Sequence, residues 1–244
     1  MPQQRLSGHI TSPKALSQLE QDAMFALFGR YFEAARGDVF ANDLHEKEAV
    51  ILLYDGAELI GFSTLMRLQA ALADKPITAF FSGDTIIDKA YWGSGHLARL
   101  WGRYVFDEAE RLRRQDYRHG VYWLLISAGY KTYRFLPTFY RTFYPTFERA
   151  TPPQLQTLMD VLAAAKFGHA YDPTSGIVRL PNATPLKVGV ADLTPARLKD
   201  PHVAFFQARN PGHTQGDELV CLTEVSYDNL TPAGARMLGL RLSV

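Results

Sequence analysis

Apolar residues recur at helical spacing near the amino end of the chain: Leu16, Leu19, Ala23, Leu27 and Tyr31. Ser12 before Pro13 is a helix-start signal and Arg36-Gly37 a stop, so the spacing predicts one helix over residues 13–35. A short helix or turn follows over 40–44. The period then changes. Residues 49–54 and 59–68 are strand-like runs around Asp55-Gly56, a strong hairpin turn. Lys75-Pro76 marks another turn, and 77–87 a third strand. From His96 to Gln115 the helical period returns. Leu97, Leu100, Trp101, Tyr104, Val105 and Ala109 form its apolar stripe; Arg99, Arg103, Glu110 and Arg113 form the far face. Residues 121–127 are a continuous apolar run, which predicts a strand covered on both faces. Ala128-Gly129 opens an aromatic helical stretch interrupted at Pro137. Beyond Ala150 the pattern predicts a helix over 152–167, a short strand over 176–180 and a connector carrying Pro181 and Pro185. A short helix over 195–209, a strand over 218–225 and a last helix over 231–238 complete it.

This order predicts an α/β fold. Its central sheet is mixed and largely antiparallel, flanked by helices, with one parallel crossover at the turn after Ile87. A single domain over 1–244 is expected, with a core at 49–147 and a carboxy-terminal elaboration over 150–244 packed on the same sheet.

The crossover turn carries the first candidate chemistry. Gly93 and Gly95 flank Ser94, where glycine permits positive φ and close backbone approach to a ligand. The helix that follows begins with unpaired N–H groups and the positive end of its dipole, a ready anion site. A plain tight turn is the competing explanation at this level. Composition removes other classes. A formal net charge of +1 over 244 residues supplies no field for nucleic acid or an acidic membrane. The one cysteine, Cys221, excludes an internal disulfide and sits in an apolar run, as a core residue would. The seven histidines show no metal-ligand spacing, so no metal is expected. No run reaches the length of a membrane span and the amino end has no apolar signal region, so a soluble, cytoplasmic protein is expected.

Residues 49–147 resemble the GNAT superfamily of N-acyltransferases. The resemblance rests on Ile87 at the strand end, the Gly93-Ser94-Gly95 loop before a helix, and Phe139-Tyr140-Arg141-Thr142-Phe143 after the buried strand. Trp92 stands where that family usually has Arg or Gln, and Leu97 where a small residue is usual. Phe143-Tyr144-Pro145 replaces a Gly-Phe pair, and the carboxy-terminal hundred residues are longer than the family's ending. The resemblance implies transfer of an acyl group from acetyl-CoA or another acyl-CoA to a small-molecule amine, by direct attack. Backbone amides of Gly93, Ser94, Gly95 and His96, with Leu97 beside them, would hold the diphosphate. Ile86 and Ile87 would pair with the pantetheine arm as an added strand. Trp92 and Tyr91 would line the donor channel. Tyr140 would protonate the leaving thiolate, or else belong to an aromatic core stripe. Asp84 would be the general base, with a water relay and a local backbone-bonding role as the competing explanations. Gly83 within a strand suggests a bulge or close ligand approach. The loop at Asn210-Pro211-Gly212-His213 and Gly216-Asp217 would close over the acceptor. The departures keep open a long-chain or acyl-carrier-protein-borne donor, and a non-catalytic binding protein on the same scaffold. The aromatic surface would suit a homodimer.

Overall fold

Ser17, and not Ser12, starts the first helix. In the computed structural model, which describes residues 6–240, the Ser17 hydroxyl accepts the Glu20 amide at 3.3 Å. The Glu20 carboxylate accepts the Ser17 amide at 2.8 Å, completing a capping box. Residues Pro13–Ala15 form only a short 3-10 turn. Ahead of them Leu6–Thr11 forms β1, a strand the periodicity conceals because it lies at the sheet edge with most side chains in solvent. The helix itself is α1, Gln18–Tyr31, followed by α2, Gly37–His45.

The hairpin is β2, Ala49–Asp55, and β3, Glu58–Leu72. The next turn falls at Ala73 and Asp74, both at positive φ (48° and 61°), two residues before the Lys75-Pro76 expected to make it. β4 therefore runs over Lys75–Ile87. Then come α3, His96–Gln115, and β5, Gly120–Ser127. The aromatic stretch divides into two short helices, α4 (Tyr130–Tyr133) and α5 (Phe135–Phe139). After it follow β6 (Phe143–Tyr144), α6 (Pro153–Phe167), β7 (Tyr171–Asp172) and β8 (Ile177–Val178). The chain closes with α7 (Pro201–Arg209), β9 (Glu218–Glu224) and α8 (Pro232–Leu238).

The strands form one nine-stranded sheet in the order β1-β2-β3-β4-β5-β9-β8-β7, with β6 also on β9. β4 and β5 are parallel, joined through α3, and the other pairs are antiparallel. This is the mixed, largely antiparallel α/β sheet expected from the sequence. Alternation along the strands sends Ile51, Leu53, Phe80, Trp123, Leu125 and Cys221 to one face, under α3, α7 and α8. The opposite face is shared. α1 and α2 cover Val50, Leu52, Phe62 and Ile86, while α6 covers Phe81, Leu124, Val220 and Leu222. The carboxy-terminal part thus supplies β9, β8 and β7 to the same sheet.

Candidate functional site

β4 and β5 pair from Ile77↔Gly120 to Ser82↔Leu125 and then part, although β4 runs on to Ile87 and β5 to Ser127. The cause lies on the other edge of β4. There Leu65 pairs with Ser82 and Ser63 with Thr85, so Gly83 and Asp84 together face Thr64 alone. That extra residue is a β-bulge, which bends its strand and increases the twist. Position 83 must be glycine for packing. A Cβ there would lie 2.6 Å from both Lys47 Cε and Thr64 Oγ1. Past the bulge, β3 holds one edge of β4 through Thr85, Ile86 and Ile87. The edge facing β5 has no partner strand among the described residues. An extended chain entering this split would find backbone groups to pair with.

The glycine turn lies at the end of that open edge. Asp88 Oδ1 accepts the Ala90 amide at 3.0 Å and starts a 3-10 turn over Lys89–Tyr91. Gly93 (φ 91°) and Gly95 (φ 69°) both take positive φ, and Gly95 is the N-cap of α3. The Ser94 amide is donated to the Tyr91 carbonyl at 3.0 Å, so it serves the turn itself. No backbone acceptor among the described residues takes the amides of Gly93, Gly95, His96 or Leu97. Leu97 buries its side chain in the core while its amide stays at the helix start. Gly93 to His96 are exposed.

Trp92 ties three elements together at this point. Its indole N–H donates to the Ile87 carbonyl at 2.9 Å, and Lys131 Nζ sits 3.5 Å from its ring centroid. Its ring also lies 6.2 Å from that of Tyr31 at the end of α1. Tyr91 turns away, donating to Asp55 Oδ2 at 2.7 Å.

Asp84 sits in the bulge on the same sheet face as Ile86, toward α1 and α2. Burial, reinforced by the Asp43 charge and opposed by Lys47, pushes its carboxyl up to about 7. Lys47 is fully buried and is held by Asp43, at 2.5 Å to Oδ1 and 3.0 Å to the carbonyl. Sequence reasoning missed Glu218, at the start of β9 on this same face. Burial first, then the Asp84 and Asp43 charges, push its carboxyl up to about 8. The only sequence signal was an acidic residue opening an apolar strand.

Tyr140, at the end of α5, is 3 % exposed, and burial pushes its phenol well above the usual tyrosine range. It packs on the α3 side with its ring 5.9 Å from that of Trp123. The Trp123 indole N–H reaches Ser82 Oγ at 2.9 Å, at the last paired position of β4. Tyr140 and Asp84 therefore flank the split from opposite faces.

A segment over residues 183–191 roofs this end of the sheet. The Glu33 amide donates to the Pro185 carbonyl at 2.8 Å, and the Lys187 amide to the Tyr31 carbonyl at 2.9 Å. Lys131 Nζ donates to the Val190 carbonyl at 2.5 Å. Gly129 accommodates it, since a Cβ there would lie 2.8 Å from Leu186 Cδ1 and 3.1 Å from Ala191 Cβ. Arg30 joins the end of α1 to Asp88 at 2.8 Å, so the segment links the ends of β4 and β5. The loop at Asn210 is anchored rather than free. Its Nδ2 donates to the carbonyls of Ser127 (3.3 Å) and Asp217 (2.8 Å). Among the described residues, no group of three potential metal ligands gathers, and no helix is long and apolar enough to cross a membrane.

No family model matches this chain, and no curated protein sequence does. Among solved structures it is similar to a conserved Enterococcus faecalis protein described as a probable N-acyltransferase (15% identity, TM-score 0.40). That alignment covers 57% of this chain and 33% of the other, so the chain spans about a third of that protein's length. It is also similar to a GNAT family N-acetyltransferase from Escherichia coli in complex with CoA, at 16% identity and TM-score 0.37, over 55% of this chain and 69% of that one. An aminoglycoside acetyltransferase from an uncultured soil metagenomic sample, in complex with sisomicin, aligns at 14% identity and TM-score 0.32, over 48% and 76% of the two chains.

Proposed function

We propose that this chain is an N-acyltransferase that moves an acyl group from an acyl-CoA, acetyl-CoA first, to an amine in a ternary complex. One observation carries this: an open strand edge, created by the Gly83–Asp84 bulge, runs into a glycine turn whose amides at Gly93, Gly95, His96 and Leu97 have no backbone acceptor. An anionic diphosphate suits those amides and the start of the twenty-residue helix α3. The extended arm of the same donor suits the open edge of β4 past the bulge, where the Ile87 carbonyl also accepts the Trp92 indole N–H.

The chemistry that follows is mostly positioning. The amine nitrogen attacks the thioester carbonyl and forms the new C–N bond. Its proton passes to the Asp84 carboxylate, directly or through one water. The C–S bond then breaks, and the thiolate takes a proton from the Tyr140 phenol. A carboxyl pushed up to about 7 is matched to proton uptake at neutral pH. Burial keeps Tyr140 protonated until a stronger base forms beside it.

Calorimetry with acetyl-, octanoyl- and palmitoyl-CoA tests the donor, with Gly95→Val as control. A branched side chain at φ 69° is strained and closes the turn. Acetyl-CoA binding that is lost in Gly95→Val is the expected result. Binding of the longer chains alone would move the donor to a long-chain or carrier-borne acyl group. Unchanged donor affinity in the variant would refute the role of the turn.

A further inference from the structure

Alternation along β4 decides which of its backbone groups face the split. The Asp88 amide donates to the Ile60 carbonyl at 2.7 Å, so Asp88 and Ile60 are a hydrogen-bonded pair that continues the register of Ile86↔Phe62. Backbone groups of a strand in an antiparallel pair turn alternately to its two edges. Ile86 therefore bonds to β3, while the N–H and C=O groups of Thr85 and Ile87 turn toward the split. The hydroxyls of Ser63 and Thr85 fit this pattern. They meet at 2.7 Å, as side chains of a pair without mutual backbone bonds can. An arm laid along this edge as an added strand would use the Ile87 carbonyl, and Trp92 already holds it: the indole N–H donates to that oxygen at 2.9 Å.

The ring that makes this bond is held by Lys131, whose Nζ lies 3.5 Å from its centroid, and by Tyr31, whose ring centre is 6.2 Å away. Both neighbours also carry the roof over residues 183–191. Lys131 donates to the Val190 carbonyl, and the Tyr31 carbonyl accepts the Lys187 amide. The Tyr31 phenol oxygen accepts the Lys89 amide at 2.6 Å as well, just ahead of the glycine turn. Trp92 is nevertheless no core residue. It is 37 % exposed, against 7 % for Trp101 and 8 % for Trp123. A partly exposed ring held by one hydrogen bond and one cation contact can turn out at modest cost.

We propose that Trp92 is a gate on the donor site: its indole N–H occupies the Ile87 carbonyl until the arm of an acyl-CoA displaces it, and Lys131 and Tyr31 tie that movement to the roof. This rests on the acyltransferase function proposed above and adds how donor entry is controlled. The indole and an amide of the arm compete for one oxygen. The amides of the glycine turn lie outside that competition, so the diphosphate end of a donor docks without moving the ring. Because Lys131 touches the ring and Val190 together, entry of the arm is felt in the roof.

The test is calorimetric binding of acetyl-CoA, and of ADP, which has the diphosphate but no arm, to the full wild-type chain and to Trp92→Phe. Phenylalanine keeps a ring and loses the N–H. Removing one competing hydrogen bond predicts acetyl-CoA binding about threefold to tenfold tighter in the variant, with ADP unchanged. A ring that merely lined the donor channel would give weaker acetyl-CoA binding instead. Weaker or equal acetyl-CoA binding in the variant, or an equal gain for ADP, overturns the gate and leaves the acyltransferase function standing. A second measurement uses the wild-type chain alone. The nuclear magnetic resonance signal of the Trp92 indole N–H should shift on saturation with acetyl-CoA, and a signal that stays in place overturns the gate. Acetyl-CoA binding by neither protein overturns the acyltransferase function and the gate together.

Discussion

Replacing Asp84 by Asn should make the protein more stable at high pH and change it little at low pH. The carboxyl rises from an ordinary value of 3.8 to about 7 on folding. A carboxyl raised in this way binds more protons in the folded state than in the unfolded one. Stability therefore falls as pH rises from about 4 through about 7, and the asparagine variant lacks this loss. Between pH 5 and 7 about two units of the shift are in play, worth about 3 kcal/mol. Solvent reaches part of this side chain, which reduces the figure to about 1–2 kcal/mol. For a chain of this size that is a gain of about 3–6 °C in Tm. Burial sets the sign, Asp43 adds to it and Lys47 opposes it. Glu218 adds to the gain, because its own carboxyl relaxes once the Asp84 charge is gone. Differential scanning calorimetry of both proteins at pH 5 and 8.5 reads the difference directly, since titrations that do not sense Asp84 cancel between them. A Tm difference that is equal at the two pH values, or a variant less stable than wild type at pH 8.5, would refute the reasoning.

Two further changes test the scaffold that presents the site. Ser17→Ala removes the capping box of α1 and should cost about 1 kcal/mol in a denaturant titration, with the slope unchanged. Gly83→Ala forces a methyl group to within 2.6 Å of Lys47 and Thr64. Overpacking of that kind costs about 1–3 kcal/mol by the same titration, and no loss would mean the bulge relaxes freely.

Much of the frame was legible in the residues. The Asp55-Gly56 hairpin, the run 121–127 and the stripe of α3 each follow from local rules of turn chemistry and periodicity, which act over a few residues. The misses have physical causes. β1 is an edge strand whose exposed side chains leave no alternation to read. β6, β7 and β8 are two residues each, too short for any period. Ser12-Pro13 opens only a 3-10 turn, whereas Ser17 and Glu20, three apart, carry the stronger start signal of a capping box.

The candidate site divides along the same line. Positive φ at Gly93 and Gly95 and a helix opening at His96 are properties of a short peptide, and glycine declares them in one dimension. That Ser94 has already given its amide to Tyr91 depends on how the turn closes. The parting of β4 from β5 is not local at all. It arises because one extra residue in β4 is absorbed against β3, and only the paired sheet defines what is extra. Asp84 was visible as an acid before the turn, but not the face it would take, because a bulge shifts the alternation by one. Glu218 lies 134 positions away in the chain, and only the insertion of β9 beside β5 brings it to the same face. Spacing and turn chemistry place backbone groups, since those follow from neighbouring residues. Burial and charge pairing act through space, so which carboxylates lose their water and their partners was decided by the tertiary structure.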